Sequence, residues 1–69
     1  MTPQEEREAI IRTYLDAFKQ ANPHRTVPVI RRGNGWVYLD NSPYRYNALE
    51  TMRDRLLDRV YEERRKKGS

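Results

Sequence analysis

Apolar residues in the first third of the chain recur at helical spacing. The stripe consists of Ile11, Tyr14, Leu15 and Phe18, widened by Ile10, Ala17 and Ala21. Thr2 and Glu5 have the spacing of a capping box, and Pro3 suits the first helical position. Asn22-Pro23 ends the pattern, because proline disfavours helical geometry in the residue before it. The spacing predicts a helix over about 3–21.

Two runs of β-prone residues on either side of Gly33-Asn34-Gly35 predict a hairpin over about 27–40. Asn-Gly favours a tight turn because both residues tolerate positive φ. The loop length stays open. A two-residue loop places Arg31 on the aromatic face of the hairpin and Ile30 on the aliphatic face. A three-residue loop with a bulge at the second glycine moves Ile30 and Arg32 to the aromatic face, and the valines of the first strand to the aliphatic one.

The segment Asp40-Asn41-Ser42-Pro43 reads as a second turn, after which two alternatives remain. In one, Ser42 caps a helix that starts at Pro43. In the other, residues 44–46 form a short third strand, and Asn47 with Glu50 caps a helix over about 48–66. We favour the second, because alternating aromatic residues suit a strand. The core stripe of this helix is Leu49, Met52, Leu56 and Val60, widened by Leu57.

These elements predict an α+β fold: helix, antiparallel hairpin with or without a third strand, and helix. The chain of 69 residues has room for one small domain with a marginal core, which leaves self-association open. It has no cysteine for a disulfide or a thiolate metal site. No apolar run is long enough to cross a membrane, and the acidic N-terminus does not resemble a secretory signal. We therefore expect a cytoplasmic protein without membrane contact.

Strand alternation puts Trp36 and Tyr38 on one face of the hairpin, and Val37 and Leu39 on the other. Two helices would cover one face of so small a sheet. Burial arguments favour the tryptophan in the core, because a small domain needs its largest apolar side chains there. If the helices instead cover the aliphatic face, Trp36, Tyr38 and one arginine are exposed together, which suits base stacking or a protein interface.

The net charge is +4, and residues 25–47 carry +3 of it. Guanidinium groups bind phosphate and carboxylate in a bidentate manner. The candidate contact residues for nucleic acid or a protein partner are Arg31, Arg32, Trp36, Tyr38 and Arg45. Auxiliary basic residues are Arg25, Arg64, Arg65, Lys66 and Lys67. The last four either add phosphate contacts or form a solvated helix end, where positive charge suits the helix dipole.

Catalytic patterns are absent from the sequence. His24 is the only histidine, so no transition-metal site is expected, and nothing places Ser42, His24 and Asp40 within reach of one another. Gly33 and Gly35 belong to the hairpin, without the lysine and helix that follow a phosphate-binding loop. We expect no enzyme activity, no catalytic residue, no metal and no cofactor.

The element order resembles that of the double-stranded-RNA-binding domain, which is helix, three strands and helix. The resemblance is topological: the chain lacks that family's Gly-Pro-x-His loop, and Asn47-Ala48-Leu49-Glu50-Thr51 stands where the family has Lys-Lys-x-Ala-Lys. The order is also similar to that of a small head-to-tail joining protein of tailed phages, without a shared motif. Neither resemblance transfers a functional residue.

The expected function is that of a small basic non-catalytic binding module that contacts the phosphate backbone of nucleic acid through the hairpin surface. The alternative is a protein-interaction module, such as a small phage-type structural adaptor or an inhibitor of a host protein. It would use the same tryptophan, tyrosine and arginine side chains.

Overall fold

The computed structural model describes residues 2–67 and has the element order helix, three strands, helix. The elements are α1 (Pro3–Ala21), β1 (Ile30–Arg32), β2 (Val37–Leu39), β3 (Ser42–Tyr44) and α2 (Tyr46–Lys67). The strands form an antiparallel sheet in the order β1-β2-β3. The predicted α+β class is confirmed, including the third strand.

Local signals define both ends of α1. The Thr2 hydroxyl accepts a hydrogen bond of 3.2 Å from the Glu5 amide, which satisfies one free donor of the first turn. Pro3 occupies the first turn, where its missing N–H costs nothing. At the other end the Asn22 amide donates to the Phe18 carbonyl and closes the helix. The cap predicted from the sequence is therefore present.

The first hairpin has a two-residue loop, Asn34-Gly35. Arg31 pairs with Tyr38, and the Gly33 amide donates to the Trp36 carbonyl at 2.8 Å. This register selects the two-residue alternative and rules out the bulged one. Gly35 has a φ of +80°, whereas Asn34 has a negative φ. The turn therefore uses the conformational freedom of the glycine alone, and not of both residues as Asn-Gly suggested.

The second turn is shorter than the sequence suggested. Asp40 and Asn41 have φ values of +52° and +73°, the left-handed pair of a type I′ hairpin, and Leu39 pairs directly with Ser42. The turn thus ends before Ser42. β3 occupies Ser42–Tyr44 instead of the expected 44–46. Pro43 lies at the centre of this edge strand, a position that proline tolerates.

The early end of β3 also moves the start of α2. The helix begins at Tyr46, and its first turn includes a hydrogen bond of 3.1 Å from the Leu49 amide to the Arg45 carbonyl. Asn47 is therefore inside the helix and does not cap it, contrary to the expected Asn47–Glu50 capping box. Only Arg45 separates the strand from the helix, so the expected capping segment is not formed.

Both helices pack against the aliphatic face of the sheet. The buried cluster consists of Ile11, Tyr14, Val37, Leu39 and Leu49. The two helices run in the same direction, as their contacts show. Near the start of both helices Arg7 lies over the Tyr46 ring, and further along both Arg53 donates a hydrogen bond to Thr13. α1 and α2 are therefore parallel neighbours in one layer.

The apolar stripe of α2 is narrower than the sequence suggested. Leu49 and Val60 are buried, and Met52 and Leu56 pack against the core. Leu57 is exposed and does not widen the stripe. Between residues 2 and 67, no helix combines the length and hydropathy needed to cross a membrane.

Candidate binding face of the sheet

One face of the sheet is not covered by the helices. Val37 and Leu39 point into the core, so their neighbours Trp36 and Tyr38 lie on the opposite face. The register carries this face across all three strands. We call it the open face, and its members are Val29, Arg31, Trp36, Tyr38, Pro43 and Arg45.

Trp36 and Arg45 form a stacked pair on the open face. The register that joins Val37 to Tyr44 places Arg45 opposite Trp36 one step further on. The guanidinium carbon of Arg45 lies 3.7 Å from the centroid of the tryptophan ring, which is cation–π distance. The tryptophan is half-buried and lies outside the core cluster. The burial argument that favoured Trp36 in the core is therefore wrong.

Arg31 and Tyr38 form a second pair beside the first. They face each other in the register, and the Arg31 guanidinium carbon lies 5.8 Å from the tyrosine ring centroid. Arg31 also donates a hydrogen bond of 3.3 Å to the side-chain oxygen of Asn41, in the second turn. Both aromatic residues of the open face therefore have an arginine as a direct partner.

Arg32 lies on the other side of the sheet, although it adjoins Arg31 in the sequence. Its Nε donates to Glu8 Oε1 in α1, and its Nη2 donates to Glu8 Oε2 at 2.7 Å. This bidentate hydrogen bonding lowers the pKa of the Glu8 carboxyl and raises that of Arg32. Arg32 therefore joins β1 to α1 and is not part of the open face.

The auxiliary basic residues whose side chains the structure describes, Arg25, Arg64 and Arg65, are not members of the open face. Arg25 follows α1 and lines a groove between the two helices. Arg64 and Arg65 are exposed in the last turns of α2. The backbones of Lys66 and Lys67 belong to the same helix, but their side chains lie outside the described part of the chain.

Two members of the open face were missed by the sequence interpretation. Val29 is 66% exposed, and its amide donates to the carboxylate of Asp40 at 3.0 Å. Alternation from Arg31 could have placed it on this face. Pro43 lies opposite Tyr38, and it was missed because it was assigned to a turn.

The candidate catalytic groups of the sequence have separate structural roles. Asp40 Oδ1 accepts the Val29 amide, Ser42 begins β3, and His24 is exposed in the turn after α1. Within residues 2–67 no hydrogen bond connects these three side chains. The described part of the chain contains no group of three or more histidine, aspartate or glutamate side chains arranged to hold a metal ion.

Comparison of the chain with protein-family models, with curated proteins and with solved structures gives no match. The resemblances noted in the sequence therefore remain likenesses of element order.

Proposed function

We propose that this protein is a small non-catalytic module that binds nucleic acid through the open face. Arg31 and Arg45 move from the aromatic rings to contact phosphate groups, and the ring faces of Trp36 and Tyr38 that this uncovers stack on bases. The observation that carries the proposal is the pairing of both aromatic rings with an arginine, Trp36 with Arg45 and Tyr38 with Arg31, on the face that the helices leave uncovered. A nucleic-acid ligand also agrees with the cytoplasmic location expected from the sequence.

The physical basis is the combination of stacking and charge. Aromatic side chains stack on bases of any sequence, at roughly 1–3 kcal/mol per base, and neighbouring guanidinium groups bind the backbone. Arginine combines a flat π-stacking surface with donors that match phosphate. Tyr38 lies in β2, and Trp36 directly precedes this strand with its carbonyl bonded to the Gly33 amide, so less freedom is lost when a ligand binds.

A binding titration at several salt concentrations tests the proposal. Fluorescently labelled single-stranded and duplex oligonucleotides are titrated with the full chain, starting at low ionic strength. Binding should weaken as the salt concentration increases, because binding releases counterions from the phosphates and a higher salt concentration opposes this release. No binding of either oligonucleotide at low salt would overturn the proposal.

Neighbouring arginines provide a matched pair of variants. Arg31→Gln and Arg32→Gln remove the same charge from adjacent positions, but only Arg31 lies on the open face. Arg31→Gln should weaken binding and reduce the salt slope by about 0.7–0.9, the contribution of one phosphate contact. Arg32→Gln should leave the slope unchanged. Equal effects of the two variants would mean that binding follows net charge and not this face.

A protein partner is the second candidate for the same face. It is favoured by the exposed Val29 beside Arg31, because interfaces combine apolar side chains with tryptophan, tyrosine and arginine. This alternative predicts weak binding of both oligonucleotides, together with a partner interaction that Trp36→Ala removes without unfolding the protein.

A further inference from the structure

A second surface is formed by a groove between the helices. It lies between the C-terminal half of α1, the turn that follows it and the middle of α2, with a volume of about 390 Å³. Its lining consists of Tyr14, Phe18, Asn22, Arg25, Met52, Arg55, Leu56 and Arg59, and we call it the arginine groove. None of these residues belongs to the open face.

The charge of the arginine groove is one-sided. Arg25, Arg55 and Arg59 line it, and no acidic side chain does. In the part of the chain that the structure describes, none of these three forms an ion pair, whereas Arg32 and Arg53 each have a carboxylate partner. Asp58, Glu62 and Glu63 line a neighbouring depression together with Arg55 and Arg59. Within the arginine groove itself the charged lining is only positive, which favours an anionic ligand there.

The floor of the groove is apolar, which narrows the class of ligand. Phe18, Met52 and Leu56 are half-buried and form this floor. A phosphate backbone would leave these surfaces without an apolar partner. A peptide segment with large apolar side chains next to carboxylates satisfies both the floor and the arginines, and Met52 is flexible enough to adapt to the inserted side chain.

From this combination we propose that the arginine groove binds an acidic amphipathic segment of a partner protein. The apolar side chains of that segment insert between Phe18, Met52 and Leu56. Its carboxylates pair with Arg25, Arg55 and Arg59, for which the planar guanidinium is well suited. The arginine groove shares no residue with the open face, so the two proposed sites can be tested separately.

A synthetic peptide tests the inference directly. The probe is an amphipathic helix with leucines on one face and glutamates on the other, labelled for fluorescence anisotropy and titrated with the full chain. A scrambled peptide of the same composition, and one with alanine in place of leucine, separate amphipathic binding from simple charge attraction. Saturable binding of the first peptide, at least about tenfold tighter than either control, is the expected result.

Charge reversal locates the contact. Arg55→Glu and Arg59→Glu should each weaken binding by about tenfold or more, because a complementary charge becomes a repulsive one. Arg64→Glu makes the same change on the same helix outside the groove and should change binding by less than about twofold. Equal losses in all three variants would overturn the assignment. Far-UV circular dichroism verifies that each variant is folded.

Chemical-shift mapping of the unmodified chain gives a second measurement that does not depend on variants. Addition of the peptide should shift the amide signals of Phe18, Met52 and Leu56 and leave those of Trp36 and Tyr38 in place. Shifts confined to the open face would overturn the proposal. The proposal would also be overturned if Arg55→Glu weakened oligonucleotide binding more than peptide binding. A concentration-dependent self-association that Arg55→Glu removes would overturn it as well.

Discussion

The guanidinium group of Arg45 covers one aromatic ring, that of Trp36, at a distance of 3.7 Å from the ring centroid. The two residues are separated in the sequence, but the sheet register places them opposite each other, directly after β3 ends. Trp36 is half-buried and lies outside the core cluster, and the Arg45 guanidinium covers its ring. Part of its burial is therefore provided by one flexible side chain.

Removal of the arginine should uncover the tryptophan. Arg45→Ala should increase quenching of Trp36 fluorescence by acrylamide, with a coupling energy between the two residues of about 0.5–1 kcal/mol in a double-mutant cycle. Arg45→Lys should give an intermediate result, because an ammonium group keeps the charge but not the flat stacking surface. Arg31→Ala, which changes the neighbouring pair, serves as the control. Unchanged quenching in Arg45→Ala would show that the stack does not persist in solution.

Two leucines of α2 should differ sharply in their effect on stability. Leu49 is 0% exposed and Leu57 is 40% exposed. Leu49→Ala should lower the free energy of unfolding by about 2–5 kcal/mol, because it leaves a cavity in the core. Leu57→Ala should change it by no more than about 0.5 kcal/mol. Urea denaturation monitored by circular dichroism measures both, and similar values would contradict the packing of α2.

Gly35 should be sensitive to substitution for reasons of backbone conformation alone. A Cβ added there would meet nothing within 4 Å, but the φ of +80° is unfavourable for an L-residue. Gly35→Ala should therefore cost about 1–2 kcal/mol in the free energy of unfolding. Chemical synthesis with D-alanine at this position provides the control, since a D-residue favours positive φ. Equal losses for L- and D-alanine would point to a steric cause instead.

The Glu8–Arg32 pair should make stability depend on pH in acid. Hydrogen bonding from Arg32 lowers the pKa of the Glu8 carboxyl in the folded protein. The stabilisation is therefore fully present above the ordinary glutamate pKa, and it is lost as pH falls through the lowered folded value. Thermal unfolding of the wild type and Glu8→Gln should differ at neutral pH and converge in strong acid. High salt should reduce the difference, because both side chains are partly exposed. A difference that persists in acid would exclude the ion pair as its cause.

Local signals were enough to predict α1 and the shared face of Val37 and Leu39, but not that the helices cover that face. Thr2 caps the helix by accepting a hydrogen bond from the amide of Glu5, three positions away. Strand alternation depends only on neighbouring residues. The start of β3 was not predictable in this way. Asp40 and Asn41 both adopt positive φ, which residues other than glycine do infrequently. The strand therefore starts two residues earlier in the sequence than predicted.

The open face could be predicted only in part. Alternation showed that one of the two adjacent arginines accompanies Trp36 and Tyr38, but the loop length decides which one. The two-residue loop puts Arg32 on the other side, where it pairs with Glu8, which lies 24 residues earlier in the chain. A contact of this range depends on how α1 packs across the sheet, and the spacing of residues in the sequence does not contain that information.

Pro43 has a consequence for the growth of the sheet. A strand with proline at its centre lacks one backbone donor, so β3 is a poor template for another chain. β1, at the opposite edge, has no proline among Ile30–Arg32. Two molecules joined edge to edge through β1 would expose only the proline-containing strands. Edge pairing through β1 would therefore stop at a dimer, because the outer strands of the pair are poor templates for a third chain.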